Sequence, residues 1–333
     1  MDGKTFRAMV VQETSEGKYS RQIAERRLDD LPADDVLVRV HYSSLNYKDG
    51  LSATGHRGVT KKYPHTPGVD AAGVVEESLS EAFQPGDQVI VTSYDLGMNT
   101  PGGFGQYIRV PAGWVVPLPE NLSPKESMAY GSAGLTAGFC IFKLQEHGIF
   151  PDQGEILVTG ATGGVGSFAV AMLAKIGYHV VAVTGKMDEK PFLIDLGATE
   201  VISRDEATDT SEKPLLKGRW AGVVDAVGGE ILSTAIRSTK LHGAVTCCGN
   251  VASPDLQINV YPFILRGISL VGIDSQSFPM TFRRQTWEKI ASDWKLDNLN
   301  RQTSVCSLEE LDLEIDRILA GKQKGRVIVD LER

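Results

Sequence analysis

With 333 residues, 42% hydrophobic and 23% charged, the chain has the make-up of a globular protein long enough for two domains. A formal net charge of −8 argues against broad electrostatic capture of nucleic acid or acidic membrane, and leaves a small molecule as the expected partner. Four cysteines with no CxxC spacing are too few for a disulfide scaffold. No basic, then apolar leader opens the sequence and no apolar run reaches the about 20 residues a bilayer requires, so a cytoplasmic protein with reduced thiols is expected.

In chain order, short strands come first. "VLVRVHY" alternates Val36, Val38, Val40 and Tyr42 on one face, and "PGVDAAGVVE" and "PGDQVIVTS" each follow a proline–glycine break, which predicts an all-β module over about 36–116. From about 126 to 275, "EILVTG", "HVVAVT", "EVIS", "GVVDAV", "AVTCCG" and "ISLVGID" alternate with helical or turn segments, the pattern of a parallel sheet covered by helices. In the tail, Ser307 and Glu310 fit a capping box, and Leu308, Leu311, Ile315 and Ile318 form a helical stripe before a closing strand.

Between "EILV" and a helix whose face carries Val165, Phe168, Ala169, Met172, Leu173 and Ile176 lies a turn with Gly160, Gly163, Gly164 and Gly166. Unpartnered helical N–H groups and the helix dipole favour an anion there, and missing side chains let a phosphate approach. The spacing is not a strict GxGxxG, but its setting between strand and helix predicts a dinucleotide site at Thr162, Gly163, Gly164 and Val165. About 20 positions on, where an NAD site carries an acid, the chain has Thr184, Gly185 and Lys186. A hydroxyl, an open backbone and a cation suit a ribose 2′-phosphate, so NADPH is the expected cofactor.

The segments "SSLNYKDGL", "PGVDAAGVV", "GSAGLTA", "TGATGGVGS", "PFILRGISLVGIDS" and "GRVIVDL" together resemble the medium-chain dehydrogenase/reductase superfamily. Within it they resemble the zinc-independent YhdH/YhfP type, which includes putative quinone oxidoreductases and NADPH-dependent acrylyl-CoA reductases. The resemblance runs nearly end to end, and "SSLNYKD" with "PFILRG" is its most specific part. It implies an α/β fold: a GroES-like β-barrel catalytic domain over 1–125, completed by 276–333, and a doubly wound Rossmann domain over 126–275, with the active site in the cleft between them. It also implies a homodimer formed through the edge strand "ISLVGID".

Zinc-dependent members place cysteine and histidine where this chain has Asn46 and Tyr47, and glycine–histidine–glutamate where it has Gly68, Val69 and Asp70. With those ligands missing, and His56 and His65 lacking a cysteine partner, no zinc site is expected. The chemistry then suits hydride delivery from NADPH to the β-carbon of an activated alkene, an enoyl thioester such as acrylyl-CoA. Quinone reduction is the near alternative, and a non-catalytic nucleotide-bound regulatory or RNA-binding protein the alternative of another class.

The resemblance places Asn46, Tyr47, Lys48 and Asp49 at the catalytic segment. Tyr47 would contact the cofactor and either donate a proton or pack; Asn46 or Lys48 would donate to the substrate oxygen, and Asp49 would organise its neighbours. The resemblance puts Thr136, Asn250, Ile264 and Ser275 around the nicotinamide half of the cofactor, with helix packing the alternative for Thr136 and core for Ile264, and puts Arg326 on the cofactor phosphates, with plain exposure the alternative; Arg204, after the third strand of the nucleotide domain, would reach the adenosine end or form a surface salt bridge. For a CoA ester, Arg283 and Arg284, or Arg57, Lys61 and Lys62, are candidate phosphate contacts, against the plainer reading of solvated charges. Adjacent in a predicted strand, Cys247 and Cys248 should point to opposite faces.

Overall fold

The computed structural model describes residues 3–333. The chain divides into two compact units: one holds the chain up to Ser132 with Pro279–Arg284 and Asn298–Arg333, the other Ala133–Phe278 and Gln285–Asp297. Among the described residues no helix is long and apolar enough to cross a membrane.

The first unit opens with an antiparallel ribbon of β1 (Thr5–Ser15) and β2 (Lys18–Arg27), turned at Gly17 with φ +70°. There follow β3 (Val36–Leu45), the short helix α1 (Tyr47–Ala53), β4 (Asp70–Ser78), β5 (Gln88–Thr92), β6 (Tyr107–Val110) and β7 (Val115–Pro117). Helix α2 (Pro124–Glu146) is broken at Gly131, whose φ 51° and ψ −157° lie outside helical space.

The second unit carries β8 (Ile156–Val158), α3 (Gly164–Lys175), β9 (Val180–Thr184), α4 (Lys190–Asp195), β10 (Glu200–Ser203), β11 (Trp220–Asp225), α5 (Gly229–Arg237), β12 (Thr239–Cys247), α6 (Tyr261–Arg266) and β13 (Ser269–Gly272). Its six strands are all parallel in the order β10-β9-β8-β11-β12-β13. Counted along the chain this is 3-2-1-4-5-6, the order of a Rossmann-type dinucleotide-binding domain. The strands read as nearly unbroken apolar runs because both faces are covered; Val181, Val183, Val223 and Val245 are fully buried. The stripe read on α3 holds, with Phe168, Ala169, Met172 and Leu173 fully buried.

After α7 (Met280–Ile290) the chain completes the first unit with β14 (Thr303–Ser307), α8 (Leu311–Leu319) and β15 (Arg326–Asp330). The resulting seven-stranded sheet runs β14-β15-β3-β4-β5-β7, with β6 also on β3, over a core that includes Val36, Val38, Val40, Val91, Phe104, Ile108 and Val329. The capping box forms as read: Ser307 N–H donates to Glu310 Oε2 at 2.8 Å and Glu310 N–H to Ser307 Oγ at 3.3 Å, and Leu308, Leu311 and Ile315 are buried.

Candidate active site

The glycine turn between β8 and α3 is built by glycines with different duties. Gly160 takes φ +60°, and its carbonyl accepts from Gly163 N–H at 2.9 Å. A Cβ at Gly166 would collide with Gly160 O and come within 2.7 Å of Ala161 Cα, so that glycine lets the helix close onto the turn. A Cβ at Gly163 would meet only Gly160 O, at 3.3 Å, so the fold itself does not demand glycine there. Gly163 caps α3 without a side-chain hydrogen bond, Gly163, Gly164 and Val165 are half-buried, and Thr162 is buried. Open N–H groups at the start of a twelve-residue helix suit an anionic group. Asp225, fully buried at the end of β11, pins this region by accepting from Thr159 Oγ1 at 2.7 Å and Gly228 N–H at 2.9 Å. Burial raises its pKa against those bonds. Nothing in the sequence marks the pairing of Thr159 with Asp225, although "GVVDAV" marks the strand end that carries Asp225.

Thr184 ends β9, and its Oγ1 accepts Lys186 N–H at 2.9 Å. Because β10 pairs with β9 in register Ser203↔Thr184, Arg204 emerges beside Gly185, where an added Cβ would lie 2.7 Å from the guanidinium carbon. Thr184, Gly185, Lys186 and Arg204 therefore form one basic corner. Thr136 is buried in α2; Asn250 is exposed after β12, Ser275 half-buried after β13, and Ile264 is 68% exposed on α6, not core.

In the segment read as catalytic, Asn46 and Asp49 turn inward. Asn46 N–H donates to Asp49 Oδ2 at 2.7 Å; Asn46 Nδ2 donates to Asp70 Oδ2 at 2.8 Å and, at 3.2 Å each, to Ser44 O and Asp49 Oδ2. Asn46 Oδ1 accepts from Arg326 at 2.9 Å. With its amide hydrogens already directed at these acceptors, Asn46 is not the donor to substrate that the sequence offered. Asp49 is fully buried and also accepts Val69 N–H at 2.8 Å. Burial, then the charge of Asp70, push its pKa up to about 7 against three hydrogen bonds. Tyr47 is 54% exposed and Lys48 half-buried.

Two basic assignments change. Arg326 is only 3% exposed, and its guanidinium donates to Leu45 O at 2.8 Å and Ser44 Oγ at 2.6 Å besides Asn46, with Asp70 at 3.5 Å. It is an internal strut rather than an exposed phosphate ligand, because β15 is threaded beside β3. Arg283 is fully buried, donates to Thr92 O and Oγ1, and lies over the Tyr94 ring, which removes it from the CoA candidates. Arg57 is engaged with Glu13 and the Lys61 carbonyl; Lys61, Lys62 and Arg284 are exposed. Cys248 lies beyond the end of β12, and both thiols turn to Asp225, so the opposite-face argument does not apply; burial and then Asp225 raise the Cys247 pKa, while a hydrogen bond with Cys140 and then burial raise that of Cys248.

Residues 164–294 match the family described as zinc-binding dehydrogenase, and residues 32–120 the alcohol dehydrogenase GroES-like domain. The chain is 43% identical to an acrylyl-CoA reductase, AcuI, of Ruegeria pomeroyi, over 98% of this chain and 99% of that protein. It is 47% identical to the putative quinone oxidoreductase YhfP of Bacillus subtilis, over 91% and 92%. The structure of the YhdH oxidoreductase of Salmonella enterica in complex with NADP superposes with TM-score 0.95 at 38% identity, covering 98% of this chain and 99% of that one. That of B. subtilis YhfP with NAD bound gives 0.96 at 44%, covering 99% and 100%.

The zinc in the first family's description can be tested against the side chains. Zinc is held by thiolates, imidazoles and carboxylates, normally in a tetrahedral set. Around Asp70 stand hydroxyls, an amide, a guanidinium and one further carboxyl, Asp49, and no group of three or more His, Cys, Asp or Glu among the described residues could hold a metal ion. These residues do not fit zinc.

Proposed function

The chain belongs to the YhdH/YhfP type of the medium-chain dehydrogenase/reductase superfamily, and from that premise we propose that it is a zinc-independent, NADPH-dependent reductase of an activated alkene, an enoyl thioester such as acrylyl-CoA. The observation that carries this reading is the side-chain set around Asp70, whose nearest partners are a guanidinium, an amide and hydroxyls and not a set of metal donors. Such a set supplies no Lewis acid to hold an alkoxide, whereas a conjugated thioester brings its own electrophilic carbon.

In this reading the N–H groups at the start of α3, with Thr162, Gly163, Gly164 and Val165, receive the diphosphate, and Lys186 and Arg204 flank the 2′-phosphate. The bound nicotinamide supplies the hydride. Lys48 donates to the thioester oxygen as negative charge develops there, and Tyr47 is the phenol within its segment that could carry a proton to the α-carbon. Thr136, Asn250, Ile264 and Ser275 serve the nicotinamide half. The protein works in the cytoplasm as a homodimer joined through β13, an edge strand beside exposed Tyr261, Ile264, Leu265 and Leu270.

Steady-state reduction of acrylyl-CoA, crotonyl-CoA and a benzoquinone, each with NADPH and NADH, tests the proposal. Selective turnover of a thioester with NADPH is expected. Preference for the benzoquinone would transfer the assignment to quinone reduction, and failure with every acceptor would favour a non-catalytic nucleotide-binding protein.

A further inference from the structure

Asp70 lies at the centre of a buried polar cluster inside the first unit. It is fully buried and receives Ser44 Oγ at 2.6 Å, Asn46 Nδ2 at 2.8 Å, Ser132 N–H at 2.9 Å and Ser132 Oγ at 2.5 Å, with Arg326 at 3.5 Å. Arg326 takes hold of three successive residues, Ser44, Leu45 and Asn46, where β3 ends and α1 begins. Tyr47 and Lys48 are the next two residues along the chain.

The backbone is shaped to admit this cluster. Gly131 breaks α2 so that both donors of Ser132 reach Asp70, and a Cβ at Gly131 would collide with Ser44 Oγ and lie 2.6 Å from Asp70 Oδ2 and 2.7 Å from Arg326. Burying a carboxylate with a guanidinium is a poor way to gain stability, since apolar side chains of similar volume commonly do as well or better. Their placement is better explained by what they hold: the Asn46 amide, gripped at both ends by Asp70 and Arg326, at the cap of α1.

We propose that Asp70 and Arg326 are positioning residues that act through Asn46 to fix the first turn of α1, and with it the orientation of Tyr47 and Lys48 toward the substrate. This rests on the catalytic reading of Tyr47 and Lys48 given above. Neither Asp70 nor Arg326 touches the substrate; both act by removing alternative conformations of a segment that must meet the reacting carbon closely, where small displacements are expensive in rate.

The test uses the full-length protein with Asp70→Asn, Arg326→Met and the double variant, measuring the melting temperature, the NADPH dissociation constant by fluorescence, and kcat and KM for the acceptor. Each single variant leaves a buried charge or a broken network and is expected to melt earlier and to lose about tenfold or more in kcat, with NADPH affinity within about twofold of the parent. The double variant, with both charges gone, should recover much of the melting temperature without recovering kcat. Recovery of kcat in step with melting temperature would make the pair merely structural. Weakening of NADPH in step with kcat would return Arg326 to the cofactor phosphates. Amide exchange over residues 46–53 reads the same claim without turnover: faster exchange there in the double variant supports it, and parental exchange overturns it. Wild-type inactivity toward every acceptor would instead sink the catalytic reading, leaving this exchange measurement to judge the positioning.

Discussion

Asp49 illustrates how a residue's surroundings set a measurable property. Its carboxyl, with an ordinary value of 3.8, is pushed up to about 7 by burial and by Asp70, so the folded protein holds the proton more tightly than the unfolded chain. The charged groups facing it are Asp70 on β4 and Arg326 on β15. Its contribution to stability is therefore fully present below about pH 4, falls as pH rises toward about 7, and is flat above that. The stability of the parent minus that of Asp49→Asn, from urea titrations, should decline across this window; a difference that rose with pH would contradict the assignment. At the basic corner, Lys186→Asp should lower kcat/KM for NADPH by about 10- to 100-fold while leaving NADH much less affected, since a charge-assisted hydrogen bond contributes about 1.5–3 kcal/mol. Unchanged cofactor selectivity would remove Lys186 from the 2′-phosphate. The sequence made this corner legible because a missing acid and an added cation sit in one short segment. It could not do the same for Arg326, whose partners depend on Val327 pairing with Leu45.

Among elements, the strand–turn–helix around the glycines was readable because glycine crowding and a helical stripe are local signals. Which glycine packing requires and which it leaves free was not readable, because it depends on atoms brought close only by folding. Gly166→Ala must push backbone against backbone and should destabilise the fold by about 2–4 kcal/mol, visible in the melting temperature. Gly163→Ala meets one oxygen at 3.3 Å and should leave stability near the parent; under the proposed diphosphate site it should weaken NADPH, because the methyl would crowd the phosphate. Equal stability losses in the two variants would refute this division of labour. Similarly, "SSLNYKD" suggested a catalytic segment, but that Asn46 and Asp49 turn inward while Tyr47 stays exposed depends on the contacts with β4 and β15.

Across the whole molecule, alternation of strands and helices gave away the parallel sheet, while the make-up of the first unit was harder to foresee because its sheet draws on segments far apart in sequence. Strand β13 bounds the parallel sheet, with Leu270 38% exposed and Ile264 on the neighbouring α6 more so. A charged Leu270→Lys should shift a two-fold assembly toward monomer in sedimentation velocity, with the melting temperature of the isolated subunit little changed. An unaltered sedimentation coefficient would argue against β13 as the joint.

The insertion of β15 between β14 and β3 has a consequence for biosynthesis. Asp70 and Asn46 leave the ribosome more than two hundred residues before Arg326. The nascent first unit must wait with a carboxylate lacking its cation and with a strand vacancy beside β3, so its maturation is tied to late translation even though most of its chain was made early.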